Sequence, residues 1–412
     1  MTIEAPLAEA LEWLFHTRAP AAVATKAREL MLDTFGCVLA AKRHPELLAF
    51  GKQLEAADPG SVASAAAFFA AAACWDEACE GSARAHGRPG LPVLAACNAL
   101  SRIKPHTYDD VIAAYVVGYE IGGRIGESMR VAPGMHVDGA WPCFGVAAAV
   151  VRLLGGNAAQ ALAAVRIAAC QMPYALYLPV AAGANARNTY LSHSAQLGML
   201  AASSALAGIV APAGALEELH SRALAGAQAG SPVAPPGDWL ISEAYLKAYA
   251  AVRHVHYGAA AALALRPQIA DRLHDISRIR LSTYAEALAY CSNRAPKSLI
   301  QAQFSISYGV ACALAKGDLA PGSYDLNDKV IQELEGMVEL AEKPGLARRA
   351  ATLRIDFKSE RMEHTIDRVP GDPSMPMSRE EILSKFARYA GRDGRAFLEA
   401  PGEQRFSEIS PA

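Results

Sequence analysis

The chain has 412 residues, with 39 Lys+Arg against 41 Asp+Glu, a formal charge of −2, 52% apolar residues and only 19% charged ones. That much apolar material excludes a disordered chain, and the balanced charge, with no local Lys/Arg run, excludes a nucleic-acid footprint. The length allows two or three domains, and an acidic substrate stays open, because a few cations in a cleft suffice to bind one.

The opening segment, MTIEAPLAEALEWLF, lacks the basic region and unbroken apolar run of a secretory signal. Residues 1–230 then read as helix after helix. Leu30, Met31, Phe35, Val38 and Leu39 share one face, as do Val111, Ala114, Tyr115 and Gly118, and Phe144, Ala148, Val151 and Leu154. Alanine dominates; it favours helix and lets helices approach closely. The most apolar run, Val62–Trp75, is shorter than the roughly 20 residues needed to cross a bilayer, so a buried helix and no membrane partner are expected. Breaks fall at Asp58-Pro59-Gly60, Lys104-Pro105, Ala132-Pro133-Gly134 and Gly155-Gly156-Asn157. The Gly/Pro/Ser-rich stretch 225–238 is the linker candidate.

Beyond it the pattern changes. Ile276–Tyr284 alternates as a strand, with Ile279 and Leu281 on one face and Arg278, Arg280 and Ser282 on the other. Thr352–Lys358 and Met362–Val369 flank a polar turn as a hairpin, and helical patterns cover Ser298–Ala315 and Asp328–Ala341. Ser378 with Glu381 forms a capping box for a last helix that returns to the first domain. The expected fold is mainly α: a large helical domain over 1–240, completed by 375–412, with a smaller α+β domain over 241–374.

The eight cysteines have no framework spacing and suit reduced thiols of the cytoplasm. Cys74 and Cys79 find no partners at zinc-site spacing. No GxGxxG, P-loop, HExxH or GxSxG motif occurs. No cofactor and no metal are expected.

Four clusters can carry chemistry. Lys247, Arg253, His254 and His256 stand in an apolar stretch, where they can neutralise carboxylates and move protons; a basic helix end is the alternative. Asp76, Glu77 and Glu80, followed by Arg84, His86 and Arg88, appear abruptly after the Ala-rich helix; an exposed charged loop is the alternative. His136 and Asp138 open a helix after Pro133-Gly134, either for an anion at the helix N-terminus or simply as caps. Arg187, Asn188, Tyr190 and His193 enter another Ala-rich helix, as hydrogen-bonding groups or as a cap with a core histidine.

The order of six segments carries a family resemblance: ELMLDTFGCVLAA (29–41), DDVIAAYVVGYEIGGRIG (109–126), GMHVDGAWPCFGVAAAVVRLLGG (134–156), RNTYLSHSAQLGMLAASSALAGIVAP (187–212), YLKAYAAVRHVH (245–256) and PKSLIQAQFSISYGVACAL (296–314). Over nearly its whole length the chain resembles the MmgE/PrpD family of dehydratases, decarboxylases and epimerases. The resemblance implies an α+β lid over a helical domain, an active site in the cleft between them, a homodimer and no organic cofactor. It matches Asp76 to the family's Asp and puts Glu80 where the family has Thr. The family's His falls on His86 or, if the following Pro-Gly is aligned, on Arg88. Arg187 and Tyr190 take the Lys and His places of a Lys-x-x-His pattern, while Lys247, Arg253 and His256 match their counterparts. On this basis Lys247, Arg253 and Arg187 hold carboxylates. His256, His86 or His136 carries the proton, with Asp76 orienting it or acting as base. The implied activity is a lyase that eliminates from, or decarboxylates, a small di- or tricarboxylate. An epimerase of the iminodisuccinate type and a catalytically silent ligand-binding relative are the alternatives.

Overall fold

A computed structural model describes residues 2–224, 226–345 and 349–411. The N-terminal part is built from α1 (Glu4–His16), α2 (Ala21–Ala41), α3 (Pro45–Ala57), α4 (Val62–Cys74), α5 (Gly90–Ser101), α6 (Tyr108–Ser128), α7 (Pro142–Leu153) and α8 (Ala158–Ala169). It continues with α9 (Leu178–Ala182), α10 (Tyr190–Leu206) and α11 (Ala215–Arg222). Side-chain caps set several of the starts. Ser61 accepts the Ser64 N–H at α4, and capping boxes close around Thr107/Asp110 and Asn157/Gln160 at α6 and α8. Two glycines let the central helices touch: a Cβ on Gly145 of α7 would lie 2.5 Å from the Gly118 carbonyl oxygen of α6. Any larger residue there would push the two helices apart.

The second part contains α12 (Arg253–Leu265), α13 (Ala285–Cys291), α14 (Leu299–Gln303), α15 (Ile306–Lys316) and α16 (Lys329–Met337). They accompany a sheet of β3 (Ile276–Thr283), β4 (Val338–Glu342), β5 (Ala351–Phe357) and β6 (Arg361–Ile366) in the order β4-β3-β5-β6. β3 pairs parallel with β4 and antiparallel with β5, and β5–β6 is an antiparallel hairpin. A two-stranded ladder, β1 (Gly81–Ser82) with β2 (Ala244–Tyr245), ties the loop after α4 to the chain that enters the second part. Two apolar cores result. The first runs from Ile3 to Ala250 and takes in Ile382–Phe406, so α17 (Arg379–Ala390), capped by the Ser378/Glu381 box, returns to it. The second runs from Ala251 to Val369. Among the described residues no helix is long and apolar enough to cross a membrane.

Four local expectations need correction. Residues 226–238 do not hang free as a linker; Ala225 lies outside the described residues. Arg124, fully buried against Glu120, donates to the carbonyls of Ala234, Pro235 and Asp238, while Glu120 accepts from the Leu240 and Ile241 N–H groups. A buried ion pair therefore straps this Pro/Gly segment onto α6. The run Asp328–Ala341 is helical only to Met337 and then becomes β4; a short apolar run carries no period that separates the two. Ser298–Ala315 is two helices, because Ser305 caps α15 and restarts the chain. After His136 comes a single 3-10 turn, Val137–Gly139, and the α-helix begins only at Pro142.

Candidate active site

A cleft of about 580 Å³ opens between the two parts. The helical part contributes the loop after α4 (Glu77, Ser82, His86, Arg88), the segment Arg130–Val137 with Trp141, and Tyr177. The chain entering the second part contributes Tyr245 and Lys247, and the second part itself Val252–His254, Glu286, Tyr290, Phe304 and Arg349. Among the described lining residues five cations face two carboxylates, so the cleft attracts anions.

Its floor is a knot of buried charge centred on Glu77, which is 1% exposed. The backbone of Glu77 is left-handed, with φ +53°, a conformation that costs a non-glycine residue free energy and marks sites where the fold imposes a direction. Its carboxylate accepts from Arg88 Nη1 at 2.7 Å and from Arg187 Nη2, and its other oxygen accepts from Lys247 Nζ at 2.6 Å. Lys247 also donates to the Glu77 carbonyl at 3.0 Å. Arg88 reaches on to Asp138 at 2.8 Å. Arg187 is fully buried behind Phe304 and anchored on Asn188 Oδ1 at 2.8 Å. Three cations thus enclose two carboxylates. Burial alone would push the Glu77 carboxyl up, but Arg187, Arg88 and Lys247 outweigh it and hold it well below the usual range. Burial pulls Lys247 down, and Glu77 reverses this and raises it. Both stay charged across the neutral range.

His136 sits beside the knot. Burial lowers its ring to about 4, so it is neutral at ordinary pH. The Asp138 N–H donates to Nδ1 at 3.2 Å, which leaves the proton of the neutral ring on Nε2. Tyr177 stacks on it at 5.9 Å and Tyr190 packs against it at 5.4 Å. His86, also left-handed at φ +53°, is exposed at the mouth. Arg253 lines the opposite wall; its Nη2 donates to Asp372 and its guanidinium lies 4.1 Å over the Tyr245 ring. It stands at the first turn of α12, not the last, so it does not stabilise that helix's dipole as a basic helix end would.

The residues singled out in the sequence therefore separate. Lys247, Arg88, Arg187 and His136 are brought together, with Arg253 and His86 on the cleft walls and Tyr190 supporting His136 while its hydroxyl donates to the Leu176 carbonyl. Three others lie outside the cleft. Asp76 turns away to Arg43 at 2.7 Å and His44 at 2.8 Å, which occupy both its oxygens and leave it no access to a substrate. Glu80 is buried among core side chains and accepts from the Gly90 N–H. His256 is buried with Nε2 spent on the Ala251 carbonyl at 3.1 Å, and burial drives its ring down to about 3. The residue missed is Glu77, one place beyond the matched aspartate. No sequence signal announces a left-handed glutamate; only its place among titratable neighbours after an apolar helix marked it. Among the described residues no group of His, Cys, Asp or Glu is arranged to hold a metal ion.

The comparison with curated proteins gives no match. Comparison with known domain families does: the MmgE/PrpD N-terminal domain matches residues 6–225, and the MmgE/PrpD C-terminal domain matches residues 249–397. Together these two domains cover most of the chain, which belongs to the MmgE/PrpD family.

Proposed function

We propose that the protein is a cofactor-independent lyase that, at the carbon next to a carboxylate, either removes a proton and expels a neighbouring group or releases CO₂ and returns a proton to the carbon. The family consists of dehydratase-, decarboxylase- and epimerase-type enzymes, and the observation that carries the reading is the pair of cations Lys247 and Arg88 lining the cleft, backed by the buried Arg187. Proton loss or decarboxylation at such a carbon builds charge on the carboxylate oxygens. Fixed cations and donors in a site sheltered from water stabilise that charge most. Lys247 and Arg88 supply the charge, and the neutral His136 supplies a hydrogen bond from Nε2. Glu77 is the positioning residue that holds the cations in place. His86, at the solvent-reaching mouth, carries the proton. Asp76 and His256 have no part, because neither reaches the cleft. The α+β part closes as a lid, excluding water and strengthening each contact.

Turnover of a panel of small carboxylic acids, followed by proton NMR in D₂O, tests this. A lyase yields an alkene or CO₂. Deuterium entering the carbon next to a carboxylate, without loss of a group, points instead to an epimerase. No exchange and no conversion with any acid, in protein that binds them, leaves the silent relative.

A further inference from the structure

We infer that the substrate is a carboxylic acid with one carboxylate held by Arg253 and an apolar, ring-sized body, rather than a compact tricarboxylate. This rests on the lyase reading and specifies its substrate class. Three observations point the same way.

The strongest anion site of the cleft is already filled from within. Arg88, Arg187 and Lys247 spend their hydrogen bonds on Glu77 and Asp138. A second resting carboxylate seated on them would meet two fixed negative charges, so Lys247 and Arg88 serve the charge that develops in the reaction and not the binding of an extra carboxylate. The second part offers a different receptor. Arg253 has Nε and Nη1 buried without a hydrogen-bond partner, although the side chain lines the cleft. Unsatisfied buried donors on a cationic group are costly, and a ligand oxygen relieves that cost. The same residue begins α12, a 13-residue helix with no side-chain cap whose first turn borders the cleft. The positive end of its dipole favours an anion at that spot.

Beyond that receptor the walls are aromatic. Tyr177 of the helical part and Tyr290 of the second part meet across the cleft, 6.2 Å apart at 64°. They are flanked by His136, stacked on Tyr177, and by His254, stacked on Tyr290 at 6.1 Å. Trp141, Phe304 and Val252 complete the lining. Tyr290 is 55% exposed. A volume of about 580 Å³ lies within the roughly 300–1,000 Å³ of pockets that enclose drug-sized ligands, more than a compact polycarboxylate fills. A planar or branched apolar group laid against the cleft-facing edges of the Tyr177–Tyr290 pair removes apolar surface from water on both.

Titration calorimetry of the full chain at neutral pH compares 3-phenylpropionate, propionate and propane-1,2,3-tricarboxylate. The expected result is that 3-phenylpropionate binds at least tenfold tighter than either of the others. Arg253→Leu removes that binding. Tyr290→Ala, a change at an exposed ring that the fold tolerates, brings 3-phenylpropionate down to the level of propionate. Tighter binding of the tricarboxylate, or no loss in Tyr290→Ala, overturns the inference while leaving the lyase reading intact. If none of the three acids binds, both the inference and the carboxylate site behind the lyase reading fail.

Discussion

Two glutamates three residues apart, both buried, exist in opposite states. Glu77 has three cations against its oxygens and is ionised throughout the ordinary pH range. Glu80 accepts one backbone N–H, keeps a second oxygen without a partner, and is pushed up by burial to about 8. Around it lie the hydroxyls of Tyr115 and Tyr119, also without partners, and Gly90, where a Cβ would meet both the Tyr115 hydroxyl and Glu80. Burial is the same for both carboxyls; what differs is that Arg187, Arg88 and Lys247 stand against the oxygens of Glu77, while Glu80 has a backbone N–H. The comparison teaches that a charged acid inside this fold is one with cations placed against its oxygens.

Breaking the Glu77 side gives the largest effect. Glu77→Gln leaves three cations buried around a neutral amide, and removing one member of such a cluster costs about 3–5 kcal/mol; chemical denaturation measures it. The same carboxyl adds a pH dependence. Its folded value lies below its unfolded one, so its contribution is present above about pH 4.5 and is lost as the pH falls through the folded value. The wild-type protein therefore loses stability in acid, and Glu77→Gln flattens that limb.

Lys247→Met removes the cation that the chain entering the second part brings to Glu77. It lowers kcat on any substrate found by roughly 10²-fold or more, the usual scale for one donor to developing charge. An unchanged kcat would detach Lys247 from catalysis.

Glu80→Gln sharpens the contrast in the other direction. Glu80 has a raised folded value, so it stabilises below about pH 4.5, and its contribution declines as the pH rises toward about 8. The amide removes that decline. Melting from pH 5 to 8.5 is expected to show the variant gaining on the wild type, by on the order of a few kcal/mol at the alkaline end. A constant difference across that range would mean that Glu80 is ionised like its neighbour.

The smallest effect belongs to Asp76→Asn. Asp76 is itself 2% exposed, but its partner Arg43 is 37% exposed and Asn keeps an acceptor oxygen for it, so the loss is that of one charge-assisted hydrogen bond, about 1–3 kcal/mol. Stability changes by about that amount and kcat stays within twofold, since Asp76 does not line the cleft.

Much of the fold was legible because its determinants are local. Ser378 and Glu381 announce the last helix by their spacing, and β3 and the β5–β6 hairpin follow from alternation. What escaped depends on distant partners. β4 becomes a strand because β3 lies ready to pair with it. Residues 226–238 have a linker's composition, yet Arg124 and Glu120, from a helix a hundred residues earlier, fix them in place. Lys247 and Arg88 were readable as cations for a cleft, whereas the exchange of Asp76 for Glu77 turns on one left-handed residue that neither composition nor periodicity reveals.

The backbone contact between Gly118 and Gly145 has a further consequence. It locks α6 and α7 together just behind Trp141 and the chain leading from His136. The helical half of the cleft therefore acts as an anvil, with no slack to reshape itself around a new molecule. Drift toward other substrates would have to proceed through the opposite jaw, from Tyr245 to Phe304, where a side chain can be exchanged without prising apart the two central helices.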